Sequence, residues 1–397
     1  MTKRRILILT TIATVSVSKD FASGFGFYEQ GAKASGQAGA WVARADDASA
    51  NWYNPAALAN LSGMEVQFGL NYLEAGNDTQ FRLASGTSFD AVSNTQTPAH
   101  FYFSQKINDK LAWGVGLNNP FGLVSEWNNA PLTLSSRRAE LHTYLFNPNV
   151  AFKLGNRWSF ALGVDYLAAE VNDFERDVPS GSTANLTGEG DAWGYNFAFQ
   201  FKMDQFSLGG QYRSSLRPTI TGNIDFGAPL AFLDSPASAH LDLPGQTLLG
   251  AAWTGKWVDV EIGGYYTQWN YFKSLDVDAT SPTTPDIHLV ENWTGTWSYR
   301  LGLAFRLTDS MKHELRAGYV YDKSPVPVET LRPSIPDSRR TGYSLGYGYA
   351  SKRWGIDAYV MDLRFADAIA VAGETGVIPG TYSSTIWLVG VTAKCRL

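Results

Sequence analysis

Cysteine occurs once in 397 residues, at Cys395. That excludes an intrachain disulfide framework and any multi-cysteine metal site. Histidine is almost as scarce. His100, His142, His240, His288 and His313 are scattered, with no H-E-x-x-H spacing and no paired ligands, so no metal is expected. Charged residues make up 17%, below the roughly 25% of a soluble domain. The net charge is only −5 and there is no Lys/Arg tract, so nucleic-acid binding has no support. Beyond the first seventeen residues no apolar run reaches about 18, which excludes a transmembrane helix. G-x-S-x-G and phosphate-loop motifs are missing too. A nucleophile, a base and oxyanion donors cannot be assembled, so neither catalysis nor a cofactor is expected.

What the chain does have is aromatics, at 14%, and 38 glycines. It also has a period of two. From Met64 to Tyr72 every even position is apolar and every odd one polar or glycine. Trp193 to Met203 puts almost wholly aromatic residues on one face, and Trp297 to Leu307 sets two arginines opposite an apolar face. Successive strand side chains point to opposite faces, so each run has one apolar side and one polar or small side. Runs of about 9 to 11 residues with aromatics near their ends suit tilted strands in a bilayer.

Fourteen such runs start near Met64, His100, Leu111, Glu140, Trp158, Asp191, Phe206, Thr247, Val258, Thr296, His313, Thr341, Trp354 and Tyr382. Their connections alternate. Short turns such as Asn108-Asp109-Lys110 and Gly155-Asn156-Arg157 take turns with long loops such as 214–245 and 323–340. An even strand number with short turns on one side and long loops on the other predicts an all-β transmembrane barrel of 14 antiparallel strands. Lipid offers no hydrogen bonds, so that barrel has to close.

The N-terminus reads as a secretory leader, with Lys3, Arg4 and Arg5 before an apolar core from Ile6 to Val17. The expected division is a leader over 1–23, a small plug over 24–62 and the barrel over 63–397. Within the plug, Asp46 to Leu58 lacks strand alternation. Asn54-Pro55 favours a turn or helix start, followed by one helical turn at Ala56-Ala57-Leu58-Ala59. Export with a lone cysteine and no membrane helix points to a Gram-negative outer membrane.

Proline interrupts two runs, at Pro120 and Pro148. Proline cannot donate to the ladder, so each marks a strand end, a bulge or a gap in the wall. If the apolar faces meet lipid, thirteen charged residues face the lumen, among them Glu65, Asp165, Arg213, Glu261, Arg300 and Arg316. They pair with one another and with the plug, or else Arg300 or Arg316 grips a ligand carboxylate. In the loop 214–245, Phe226, Leu230, Phe232 and Leu233 either pack over the barrel mouth or form a shallow apolar groove.

Several segments are familiar. Gly24-Phe25-Gly26-Phe27-Tyr28-Glu29-Gln30, Gly36 to Ala40, and Ala45-Asp46-Asp47-Ala48-Ser49 through Asn54-Pro55-Ala56 resemble the hatch of the FadL family of channels for long-chain fatty acids and hydrocarbons. So do Asn119-Pro120-Phe121-Gly122-Leu123, Phe146-Asn147-Pro148-Asn149-Val150 and Leu241-Asp242-Leu243-Pro244 in the barrel. Tyr321 to Pro327 and Ile335 to Arg340 look like further signatures of the same family.

The resemblance implies a passive outer-membrane channel plugged by an N-terminal hatch. It implies a surface groove, a hatch-gated pocket and sideways exit into the membrane at the third strand. Asp46, Asp47, Asn54, Pro55 and Ala56 would form the gate. Asn119, Pro120, Phe121 and Gly122 would form the lateral opening, with the Asn54-Pro55-Ala56 turn beside it. The expected partners are hydrophobic small molecules, either long-chain fatty acids or aromatic hydrocarbons, with lipopolysaccharide and outer-membrane lipid around a monomer. The competing readings are a water-filled polar porin and, behind it, an outer-membrane enzyme or adhesin.

Overall fold

A computed structural model describes residues 24–307 and 312–397. The expected leader and most of the turn between residues 308 and 312 lie outside the described residues. Fourteen strands form the wall. They are β1 (Met64–Ala75), β2 (Ala99–Lys106), β3 (Leu111–Asn118), β4 (Arg138–Leu154), β5 (Trp158–Asp177), β6 (Thr183–Met203) and β7 (Phe206–Arg213). The second half comprises β8 (Gln246–Thr254), β9 (Val258–Thr267), β10 (Thr296–Arg306), β11 (His313–Asp322), β12 (Arg340–Ala350), β13 (Trp354–Phe365) and β14 (Gly380–Arg396). Each pairs antiparallel with the next, and β1 pairs with β14 from Glu65↔Arg396 to Leu73↔Leu388, which closes the sheet.

Alternation decides which side chains meet lipid. On β6, Trp193, Tyr195 and Phe197 are exposed on the outer face while Asn196 and Gln200 are buried inside. The outward aromatics pair across strands in two belts. Tyr166–Trp193, Tyr266–Trp297 and Tyr319–Tyr343 lie towards the long-loop end, with ring centroids 4.8, 5.3 and 5.4 Å apart. Trp158–Phe201, at 4.7 Å, lies near the short turns. Trp193 and Phe201 are eight residues apart, roughly 26 Å along a strand at about 3.3 Å per residue, which matches a tilted crossing of the apolar layer.

β5 and β6 run to 20 and 21 residues because they continue beyond the membrane. There β6 pairs with Thr219–Phe226, which pairs with Ser235–His240, and that strand meets Ser274–Ala279. One face of this extension is apolar, with Leu186, Ile224, Ala237, Ala239 and Val277 buried together. The apolar loop between β7 and β8 is therefore largely structured. Phe226 packs on that cluster, Leu241 and Leu243 join the main core, and Phe232 alone of the four candidate groove residues stands fully out.

Nearly all residues from Phe25 to Ala59 are buried and contact the strands. They form a helical turn at Ala32–Ser35, a second at Ala50–Tyr53 and a 3-10 helix at Pro55–Asn60. Small residues let this backbone press against the strands. A Cβ on Gly346 of β12 would lie 2.9 Å from the Cα of Gly36.

Charged and polar lumen groups hold the plug. Val42, Ala43 and Arg44 all donate backbone N–H to the Glu261 carboxylate, the last two at 2.8 and 3.1 Å. The plug also bridges the join between first and last strands. Ala48 N donates to Glu65 Oε1 on β1 (3.0 Å), and Ala32 N donates to Thr392 Oγ1 on β14 (2.9 Å). Lys394 on β14 lies 3.7 Å from Asp47.

Candidate functional site

The two prolines that interrupt the alternation have different outcomes. At Pro148 the β4–β5 ladder runs from Phe146↔Tyr166 directly to Asn149↔Gly163. The Asn147 side chain donates to the carbonyl of Val164 there (3.1 Å), so the wall stays closed. At Pro120 the ladder breaks. β3 pairs with β2 only from Ala112 to Leu117, and β2 begins at Ala99, just after Pro98. On its other side β3 reaches Asn118↔Leu145, and pairing with β4 resumes at Gly122↔His142. Asn119, Pro120 and Phe121 therefore oppose two residues, which is a bulge. Thr143 stabilises it: Phe121 N donates to Thr143 Oγ1 (3.0 Å), and that hydroxyl donates to Phe121 O (2.6 Å).

The backbone groups that β2 does not satisfy are satisfied by the plug. Phe27 N donates to Pro120 O (2.8 Å) and Gly122 N to Phe25 O (3.0 Å), framing an antiparallel bridge between Gly26 and Phe121. Gln30 Nε2 donates to Asn119 O (2.7 Å). A short stretch of plug thus takes the place of a missing strand. Phe25 anchors it among Phe121, Trp269, Phe272 and Trp293, with ring centroids 4.8 to 6.2 Å away. The start of the segment is held by the 323–339 loop, where Asp337 Oδ2 accepts the N–H of Gly24 (3.0 Å) and the hydroxyl of Ser324. Burial pushes the Asp337 carboxyl up to about 7, against the pull of Arg340 and these hydrogen bonds.

Beside this break lies a chamber of about 690 Å3. Phe25, Gly26 and Phe27 of the plug bound it on the inside, and Ile335, Pro336 and Asp337 on the loop side. It is also bounded by Phe68, Leu117 and Tyr144, which are exposed on the outer face of the wall. One cavity therefore touches both the plug and the lipid-facing surface. A smaller cavity of about 150 Å3 lies among the external loops, between Leu134, Phe174, Leu186, Ile224 and Leu289, with Arg332 beside it.

Asn119, Phe121 and Gly122 line the large chamber, and Pro120 lies within the break itself. The Asn54-Pro55-Ala56 turn, expected beside Pro120, is elsewhere. Asn54 Nδ2 donates to Val42 O (2.7 Å) and to Phe199 O on β6 (3.0 Å), while its Oδ1 caps the 3-10 helix at Ala56 N (3.1 Å). Three backbone groups claim that side chain, so Asn54 shapes the N-terminal segment against β6, and it is Phe25–Gln30 that meet the break. The helical turn expected at Ala56–Ala59 is part of that 3-10 helix. Asp47 accepts Ser49 N (3.1 Å), and Asp46 pairs with Lys33 (2.6 Å).

Arg300 and Arg316 do not line the chamber. Arg300 donates to Ala38 O of the plug (2.7 Å) and lies over Tyr28 and Tyr265. Arg316 pairs with Glu314 and Asp357, at 2.6 and 2.7 Å. Phe226, Leu230, Phe232 and Leu233 lie on the external hairpin, outside both cavities. Trp269 and Trp293 are absent from the sequence-based candidates. Phe25, Phe27, Gln30, Asp337 and Arg340 stand within family-like segments but had no individual role assigned. Side-chain type alone could not pair Phe25–Phe27 with Pro120, because backbone groups make that contact.

Residues 12–396 match the family described as Outer membrane protein transport protein (OMPP1/FadL/TodX). The long-chain fatty acid transport protein of Escherichia coli strain K12 is 26% identical over 364 residues, covering 77% of this chain and 79% of its own. The crystal structure of a Pseudomonas aeruginosa FadL homologue superposes with a TM-score of 0.83 at 20% identity, over 94% of this chain and 100% of that one. The Pseudomonas putida toluene transporter TodX gives 0.76 at 16% identity, over 94% and 99%.

Proposed function

The chain belongs to the OMPP1/FadL/TodX family and is an outer-membrane transport channel of a Gram-negative bacterium, not an enzyme; we propose that it admits hydrophobic compounds through a hatch-gated chamber and releases them sideways into the membrane at the β3 break. The observation that carries this reading is the single chamber bounded by Phe25 on the hatch and by Leu117 and Phe68 on the lipid face. The relatives support the solute class, since their names specify a long-chain fatty acid and toluene.

The physics is consistent. An apolar solute gains roughly 25 cal/mol per Å2 of apolar surface on leaving water, so an apolar chamber collects it. Exit into lipid avoids a second transfer into water. The gate is weak by construction. Withdrawing Phe25–Phe27 breaks two backbone hydrogen bonds, each worth about 1 kcal/mol net, and unpacks one aromatic anchor. Thermal motion or an arriving ligand can provide that, so no energy source is needed. Asp46, Asp47 and the Asn54-Pro55-Ala56 turn act in this reading as the frame that orients the moving segment. One chain in a layer of lipid and lipopolysaccharide suffices. A polar porin is the poorer reading, because the hatch fills the lumen and the charges there pair with it.

The test is a reversible lock. Gly26 and Phe121 face each other in an antiparallel bridge, a spacing that a disulfide can span. In a Cys395→Ser background, Gly26→Cys with Phe121→Cys should transport an apolar probe when reduced and stop when oxidised. Equal uptake in both states would remove hatch gating at this site.

A further inference from the structure

We propose that the chamber selects neutral apolar molecules and rejects carboxylates of the same chain length, because two acidic side chains face it and its one guanidinium is already paired. The inference rests on the channel reading above and narrows its substrate class. It departs from the substrate in the name of the Escherichia coli relative.

Among the described residues that line the chamber, Arg340 is the one Lys or Arg. Its Nε and Nη2 each lie 3.0 Å from Asp322 Oδ2, and its guanidinium sits 5.7 Å from the centre of the Phe365 ring. The Nε–Nη2 edge, one of the edges by which a guanidinium grips a carboxylate, is thus occupied by the protein's own acid. Three acids line the chamber: Glu29, Glu126 and Asp337. Glu126 pairs with Arg138, a guanidinium it shares with Glu140 and Asp173. Glu29 accepts the N–H of Tyr28 (3.2 Å) and has no cation within hydrogen-bond distance among the described residues. Its nearest guanidinium, that of Arg300, is 4.0 Å away and donates instead to Ala38 O. Asp337 is hydrogen-bonded by neutral donors, Gly24 N–H and the Ser324 hydroxyl, and Arg340 attracts it without a hydrogen bond. The two lining histidines are engaged as well, His100 with the Thr392 hydroxyl (2.9 Å) and His142 with Glu140 (2.8 Å).

A fatty-acid headgroup entering here would lose its hydration, meet two acids and find no free cation. Burying an unpaired carboxylate is among the costliest transfers a site can impose. A hydrocarbon or a long-chain alcohol escapes that cost and still gains the apolar contacts of Phe25, Phe27 and Phe121.

Two probes of equal length decide it: hexadecan-1-ol and hexadecanoate, bound at pH 8 to the full-length protein in nanodiscs, with empty nanodiscs subtracted. Toluene serves as a third, smaller neutral probe. The alcohol should bind more than about tenfold tighter than the carboxylate. Asp322→Asn, which frees Arg340, should narrow that ratio about tenfold. Glu29→Gln and Asp337→Asn approach the same point from the acid side, and heat-shifted gel mobility confirms that each barrel is folded. Hexadecanoate binding as tightly as the alcohol to the wild type overturns the proposal. If neither neutral probe binds, the channel reading itself fails, which is a different result.

Discussion

The backbone N–H of Phe27 donates to the carbonyl oxygen of Pro120 at 2.8 Å. A residue of the hatch thus completes the hydrogen bonding of a wall strand that its neighbour in the sheet leaves incomplete. In the proposed reading the segment that completes the wall is also the plug. Protein lacking residues 24–62 should conduct ions strongly in planar bilayers, whereas the intact chain should barely conduct. High conductance from the intact chain would rule out a seated hatch.

Pro120 keeps the bulge from reverting to a regular strand because it has no N–H to offer β4 or β2. Pro120→Ala, with β2 extended to meet it, should slow uptake of an apolar probe several-fold while leaving the barrel folded. Uptake that does not change would dissociate this break from solute exit.

Glu261 accepts three consecutive backbone N–H groups from Val42, Ala43 and Arg44. Glu261→Leu keeps the volume and orphans all three backbone donors, at a cost of about 1–3 kcal/mol per unsatisfied group, while Arg44 keeps its ion pair with Asp259 (2.8 Å). The hatch should come loose. Faster proteolysis of residues 24–62 and a measurable ion leak are the expected signs, and a hatch as resistant as in the wild type would contradict them.

Asp337 and Glu291 are both external and both raised by burial, from an ordinary 3.8 and 4.5 to about 7; Arg332 beside Glu291 opposes the shift. A carboxyl whose folded value is raised lends stability below its unfolded value. That stability is lost as pH rises through the folded value. The loops that hold Gly24 should therefore weaken between about pH 4 and pH 7. Thermal midpoints measured across that window should fall with pH, and Asp337→Asn with Glu291→Gln should flatten the slope. An unaltered slope would mean that other groups set it.

Much of the wall was legible in the residues. Alternation begins at Met64, Leu111, Trp158, Phe206, Val258, Thr296, His313 and Trp354, and there the strands begin. Lipid makes this signal strong, since every second residue in the bilayer must be apolar. The signal fades where lipid ends. β6 starts at Thr183 rather than near Asp191, because residues 183–190 pair in water and need no apolar outer face. The break at Pro120 was legible as a missing donor. Its partner was not. Phe25–Phe27 meet Pro120 through backbone atoms, which leave no mark in side-chain pattern, whereas Asn54, a conspicuous Asn-Pro, serves the hatch's own folding.

The hatch binds both sides of the join between the ends of the sheet, through Glu65 on β1 and Thr392 and Lys394 on β14. Such a join is the last ladder a barrel of this kind can zip, since its two strands are the most distant in the chain. The N-terminal residues clasp that ladder from both sides, so a barrel without them should open first at β1–β14.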